Sequence, residues 1–282
     1  MVYRRTSQAT LVPLRLSAAL SVDVPGLEDM ASLVLLVVAL GAERRAICGA
    51  LEARHTERLG DRPAIRGRLA GREVLLVQAG IGRDRAREAL VAASRTFDVR
   101  AVWSLGFAGG LTESLRSGDL VYPTAILEDR EHPRMAAGGT THAAVCAALC
   151  RAALRIESGA LITLGAALHT PEEKRAIARQ SGAVAVEMEA AGVVHVAQDL
   201  GIPCAALKVI VDAVDDPLPP FVGRCTTPQG DLRWRGLLAG ALAGRESWRS
   251  LYRLGQASRQ AGRSLWRGLE VAFGAWVALT PY

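Results

Sequence analysis

The sequence lacks several features that would fix its class at once. Its five cysteines, at 48, 146, 150, 204 and 225, show neither the CxxC spacing of a zinc site nor the density of a secreted disulfide scaffold. A reducing, cytoplasmic compartment fits that usage; Cys146 and Cys150, which would share a helix face, are expected to be buried thiols and not metal ligands. No run of 18 uninterrupted apolar residues occurs, which excludes a conventional membrane-spanning helix. The Lys-Ser or Lys-Thr of a P-loop is missing, and so is the full GxGxxG fingerprint of a dinucleotide fold. Most of the chain also lacks a charge bias. Of 34 Lys+Arg and 28 Asp+Glu, residues 221–282 hold nine Arg and three acids, leaving 25 of each sign in residues 1–220. The net charge of +6 therefore belongs to the tail, and the body shows no general attraction for nucleic acid.

What is present is enough for a large core. A chain of 282 residues, 50% of them hydrophobic, can bury one sizeable α/β domain with extra elements. Residues 1–29 read as a flexible leader, with Met30 as an alternative start; Pro13 and Arg15 break its apolar stretch, which argues against a secretory signal. From residue 30 to 220 the pattern is regular. SLVLLVVAL (32–40), EVLLVQAG (73–80) and AVWSLG (101–106) are apolar runs of strand length that end in glycine, and further strands are expected at DLVYPTAIL, GALITL, AVAVE and PCAALKVI. Helical spacing between several of them predicts an α/β fold: one three-layer domain around a mixed sheet, with a C-terminal helical extension over 221–282. Ligands in such folds sit beyond the carboxyl ends of the strands.

Three places at those ends carry chemistry. The first is AVEMEAAG (185–192), where Glu187 and Glu189 stand before a helical pattern. Each could cap the helix or accept two hydrogen bonds from adjacent sugar hydroxyls, since an ionised carboxylate only accepts. The second is a pair of glycine segments, QAGIGRDRA (78–86) and LGFAGGL (105–111). Read as small-residue turns, they would let backbone approach a ligand at Ala79, Gly80, Phe107, Ala108 and Gly109, or serve the turn alone. The third is PCAALKVIVDAVDD (203–216), which places Asp212 just past an apolar strand as a candidate general acid, while Asp215 and Asp216 cap or face solvent. Lys208, within the strand, could pair with a carboxylate or point toward the pocket. The histidines at 55, 132, 142, 169 and 195 fit packing, capping or solvent roles, with His132 and His169 the candidates for a ligand lid.

GAE (41–43), AGIG (79–82), GFAGGL (106–111), AVEMEAAG (185–192) and VIVDAVDD (209–216) together resemble, in order and spacing, the nucleoside phosphorylase superfamily and its methylthioadenosine/S-adenosylhomocysteine nucleosidase branch. The resemblance covers about residues 33–216. LPP after the aspartates and the Arg-rich LYRLGQASRQAGRSLWRGL are similar to the hopanoid-associated phosphorylase or nucleosidase branch.

The resemblance implies roles for individual residues. Asp212 matches the aspartate that protonates purine N7, Glu189 the glutamate that binds the ribose 2′- and 3′-hydroxyls, Met188 the methionine packed on the sugar, and Glu43 the glutamate that activates the hydrolytic water. Leu168 stands where the branch has a phenylalanine beside the purine, and Ala79 removes a hydroxyl that the branch could offer. The reaction implied is release of adenine from a 5′-substituted adenosine, adenosylhopane above methylthioadenosine or adenosylhomocysteine. No cofactor is implied; inorganic phosphate would be a cosubstrate if the reaction were phosphorolytic, with Arg44, Arg45 and Arg83 as its candidate donors. A homo-oligomer is also implied.

Two other readings stay open on the sequence. A catalytically dead purine-binding protein would retain ligand without turnover. The tail, where Trp248, Tyr252, Leu254, Trp266, Leu269, Phe273 and Trp276 are spaced among nine arginines, could lie on the inner membrane surface or simply cover the domain. Nucleic acid is the weaker partner, because these aromatics fall on helical rather than strand patterns.

Overall fold

The computed structural model describes residues 32–128, 135–136, 140–218 and 245–280, with the side chains of 135–136, 140 and 245–254 left aside. The leader, His132 and Cys225 lie outside the described residues, as do the side chains of Trp248, Tyr252 and Leu254.

The apolar runs become the middle of a mixed sheet. β1 (Ser32–Val38) lies between β4 (Arg72–Gln78) and β5 (Asp98–Gly110), parallel to both. Every residue of β1 after Ser32 is buried, as expected for a strand covered on both faces. β2 (Glu52–Leu59) and β3 (Arg62–Leu69) form an antiparallel hairpin that extends the sheet from β4. Beyond β5 come β11 (Ala183–Glu187), antiparallel to it, then β10 (Ala160–Thr163), β7 (Ala125–Glu128) and β8 (Met135–Ala136). β12 (Cys204–Asp212) branches from β5 in parallel and carries β6 (Leu120–Val121), which pairs with β9 (Ile156–Glu157). DLVYPTAIL thus divides into two strands instead of one.

Helices cover both faces. α2 (Arg83–Ser94) and α5 (Ala190–Leu200) share one apolar cluster with β1 and β4. On the other face, α1 (Gly41–Cys48), α3 (Thr140–Arg151) and α6 (Arg245–Val277) pack with β1, β5 and β12. α4 (Pro171–Ser181) lies against β11. Its start is fixed by a capping box: Thr170 accepts from the Glu173 N–H at 3.2 Å, and Glu173 accepts from the Thr170 N–H at 3.0 Å.

One face of α6 covers the domain, one of the two expectations for the tail. Leu265, Leu269, Ala272, Phe273 and Trp276 are buried in the core, and Trp103 of β5 meets Phe273 and Trp276 with ring centroids 5.7 and 5.5 Å away. Leu269, Phe273 and Trp276 are therefore unavailable to a membrane, because the sheet already removes them from water. Arg259, Arg263, Trp266 and Arg267 remain on the outer face. Among the described residues no helix is long and apolar enough to cross a membrane. Cys150, expected to be buried, is exposed on α3.

Replacing Phe273 by Ala should lower unfolding free energy by about 3–5 kcal/mol, through lost burial and the cavity beside Trp103. Urea unfolding followed by far-UV dichroism checks this. An unchanged midpoint would mean that α6 is not part of the core.

Candidate active site

Strand ends bring the acids together. Glu43 lies in the first turn of α1 directly after β1, Glu187 ends β11, Glu189 precedes α5, and Asp212 ends β12. β5 runs through the middle of this group. Its GFAGG segment, expected to be a turn, continues the strand to Gly110. Gly106 pairs with Lys208, while Gly109 pairs with Val186 on one side and Asp212 on the other. The glycines are there for clearance. A Cβ on Gly106, whose φ is +144°, would lie 2.6 Å from Glu43 Oε1, and one on Gly109 would lie 3.2 Å from Asp212 Oδ2.

Acceptor capacity separates the three glutamates, since a carboxylate has about four lone-pair sites. Glu187 uses all of them. It accepts from Thr163 Oγ1 at 2.5 Å, from the Glu189 N–H at 3.0 Å, from the Ala190 N–H at 2.9 Å, and from Lys208 Nζ at 2.9 Å. It therefore anchors the β11–α5 turn, the capping role that the sequence offered it beside sugar binding. Glu43 accepts from the N–H groups of Ala39 at 2.9 Å and Leu40 at 2.8 Å through Oε2, and from Phe107 N–H at 2.7 Å through Oε1. Part of its role is to cap α1, yet Oε1 keeps one position open among the described residues. Glu189 accepts from Gly82 N–H at 2.8 Å and Met188 N–H at 3.3 Å, one on each oxygen, so each oxygen can take one more donor.

The remaining expected residues divide. Gly80 is buried with φ +95°, and Gly82, with φ +103°, supplies the N–H that holds Glu189. Met188 and Phe107 are half-buried near these acids in sequence and register. Leu168 packs on the cluster of Leu111, Ile162 and Val186. The side chains of Ala79 and Ala108 belong to core clusters, so it is their backbone that they offer to a ligand. Of the three arginines expected for phosphate, two have protein partners. Arg44 donates to Gln78 Oε1 at 3.0 Å. Arg83 is ion-paired with Glu128, which also lies 3.2 Å from His195 Nε2, at an open polar groove of about 430 Å³ on the α2–α5 side. Arg45 is exposed. His169 is tied down, its N–H donating to Glu173 and its Nδ1 lying 3.2 Å from the Leu218 carbonyl.

Residues 34–224 match the profile of the Phosphorylase superfamily. The chain belongs to that superfamily. Curated relatives include the 5′-methylthioadenosine/S-adenosylhomocysteine nucleosidase of Bacillus thuringiensis (strain Al Hakam), 27% identical over 196 residues, which are 64% of this chain and 85% of the relative. Among solved structures, a mutant Helicobacter pylori nucleosidase with 5′-methylthioadenosine in its active site has a TM-score of 0.67 at 17% identity, covering 86% of this chain and 99% of the other. The Neisseria meningitidis enzyme with methylthio-immucillin-A gives 0.66 at 19% identity, covering 87% and 100%. Futalosine hydrolase of Helicobacter pylori gives 0.65 at 18%, covering 86% and 97%. The superfamily fold accounts for the branched mixed sheet and for the convergence of its strand ends.

Within this superfamily member the three glutamates share one compensating cation, Lys208. Lys208 is 1% exposed in its side chain. Burial opposes its charge, but Glu187 first, then Glu189 and Glu43, hold its pKa above the usual value. Burial pushes Glu189 up to about 8, with Glu187 adding repulsion and Lys208 opposing it; burial likewise raises Glu43 against the pull of its backbone donors. Among the described residues no cluster of three or more His, Cys, Asp or Glu is arranged to hold a metal ion.

One residue of the site left no signal in the sequence. Lys174, in the charged stretch PEEKR, is wholly buried and places Nζ 2.5 Å from Asp212 Oδ2.

Two outcomes follow for stability. Gly106→Ala should cost about 1–3 kcal/mol in urea unfolding, because the new methyl needs both a disfavoured φ and the space of Glu43; Gly165→Ala, where an added Cβ meets nothing within 4 Å, should stay within about 0.5 kcal/mol of wild type. Glu189 should also link stability to pH. Its folded pKa of about 8 lies above the ordinary 4.5, so its contribution is complete below 4.5 and lost as pH rises through 8. Melting temperature measured from pH 5 to 8 should fall less steeply for Glu189→Gln than for wild type; equal slopes would contradict the raised pKa.

Proposed function

We propose that the chain hydrolyses the N-glycosidic bond of a 5′-substituted adenosine and releases adenine. The observation that carries this reading is the unequal acceptor capacity of the acids. Glu189 retains one open position on each oxygen, which suits two adjacent ribose hydroxyls, and Glu43 retains one, which suits a single water.

In this mechanism Asp212 protonates N7 as the C1′–N9 electron pair departs with the purine. The sugar gains positive charge, which ionised Glu189 stabilises through the hydroxyls, and the water held by Glu43 adds to C1′ and gives its proton to Glu43. Asp212 must be neutral at the start, and burial raises its pKa in that direction. Glu189 must be ionised, and hydroxyl donors from the sugar favour that form. Hydrolysis is favoured over phosphorolysis because Glu43 would repel phosphate, while Arg44 and Arg83 have other partners. The hydrolase names of the relatives point the same way.

The finer substrate in this proposal is adenosylhopane, with methylthioadenosine and adenosylhomocysteine as competitors. A lipid-linked substrate calls for approach to a membrane surface, which we assign to Arg259, Arg263, Trp266 and Arg267 on the outer face of α6. A homo-oligomer is proposed with it.

The decisive experiment compares the three nucleosides with and without phosphate and identifies the sugar product. The free 5-substituted ribose, formed without phosphate, is expected; phosphate-dependent formation of its 1-phosphate would reverse the reaction class, and no cleavage at all would remove the enzyme. Asp212→Asn should lower kcat by about 10²- to 10⁴-fold. Vesicle sedimentation with anionic lipid should show binding that weakens with salt and is lost when Arg259, Arg263 and Arg267 are replaced by Ser; binding that survives the triple substitution would place the membrane contact elsewhere.

A further inference from the structure

Lys174 is a long cationic side chain with no exposure to solvent, the only buried residue of α4. Its Nζ has three acceptors: Asp212 Oδ2 at 2.5 Å, the Ala213 carbonyl at 2.6 Å and the Asp216 carbonyl at 2.8 Å. Three acceptors need three N–H donors, so the group is an ammonium. Its neighbours are tied to the same turn. Arg175 pairs with Asp215, the Ala213 N–H donates to Asp216 Oδ2 at 3.0 Å, and the Leu218 N–H donates to the His169 carbonyl at 3.0 Å. Such a network would hold the turn without an ammonium placed on the carboxylate itself. The direct contact with Asp212 therefore calls for its own explanation.

We infer that Lys174 is a positioning residue that sets the acid strength of Asp212: its fixed ammonium stabilises the carboxylate left behind when the Asp212 proton passes to N7 of the leaving purine. This rests on the reading of Asp212 as the general acid. The O–H bond of Asp212 breaks, the N7–H bond forms, and the negative charge that appears on Asp212 is met by Lys174 through Oδ2, leaving Oδ1 to face the purine. Lys174 keeps its own protons throughout. Among the described residues the charged groups around Asp212 are few. α4 brings Lys174 and the Arg175–Asp215 pair, the turn brings Asp216, and β5 and β11 bring only Gly109 and Val186. Burial and Asp216 raise the Asp212 pKa and Lys174 lowers it, so the cation limits how weak an acid Asp212 becomes.

The sign of the effect is testable. A general acid is lost above its pKa, so Asp212 sets the alkaline limb of the rate profile. Removing the cation should make Asp212 a weaker acid and move that limb up by about one pH unit or more. The plateau kcat should fall by up to about tenfold for each unit. Adenine release from methylthioadenosine should be followed from pH 5 to 10 for the full-length wild type and for Lys174→Met, Lys174→Arg, Asp216→Asn and Asp212→Asn. Lys174→Met is expected to shift the limb up with little change in KM, and Lys174→Arg to restore both limb and kcat. Asp216→Asn, which removes a negative charge at an exposed position, should shift it down. A lower rate in Lys174→Met with the limb unmoved would reduce Lys174 to a structural tie and overturn the inference. If Lys174→Met does not fold, a limb in Asp216→Asn that stays in place or moves up overturns it instead. Full activity in Asp212→Asn would remove the acid assignment beneath it, a separate failure.

Discussion

Three buried glutamates around a single buried lysine are the constraint from which the rest of this site follows. Removing a carboxylate from water is costly unless donors replace the lost hydration, and one ammonium cannot neutralise three. The chain meets that demand with backbone. Ala39, Leu40 and Phe107 serve Glu43, Gly82 and Met188 serve Glu189, and Glu189 and Ala190 serve Glu187. Apart from Phe107, which lies inside β5, each of these N–H groups lies at a strand end or helix start, where secondary structure leaves donors without partners. Burial that these donors do not offset raises the carboxyl pKa values of Glu43 and Glu189, with Glu187 adding repulsion at Glu189.

Much of this was legible in the sequence because apolar runs and helix starts are local signals. SLVLLVV, REVLLVQ, AVAVE and the strand before Asp212 could be placed from their composition, and the acids follow those strands within a few residues. GFAGG was misread for a physical reason. Glycine breaks strands when its freedom is what matters, but here its lack of a side chain matters, and only the neighbouring carboxylates reveal that. For Glu187 the sequence offered capping and sugar binding without choosing, since its saturation depends on Thr163 and Lys208 from other strands. Lys174 sits in a run that resembles any solvated helix face. Arginine spacing could not show that Arg83 turns toward Glu128 or that Arg44 turns toward Gln78. The tail posed the same problem in another form, because an apolar helix stripe fits a membrane and a sheet equally well.

The two sides of the site differ in construction. The glutamates are held by main-chain donors of the central sheet, which can shift little without unpairing strands. Asp212 is instead held through a side chain from α4, at the end of a flexible four-carbon stem, and by a turn whose ties reach to His169 and Arg175. Position is therefore fixed most firmly where sugar and water are proposed to bind, and more adjustably at the proposed leaving group.

The placement of α6 has a consequence for biosynthesis. Trp103, Leu120 and Tyr122 belong to the first half of the chain, yet the cluster that covers them includes Leu265, Leu269, Phe273 and Trp276. On the ribosome, this face of the sheet is synthesised long before its cover. A nascent chain carrying every strand but lacking the last helix would expose those aromatics to water, so completion of the fold must follow translation of the tail, and holdase chaperones have a defined surface to occupy in that interval.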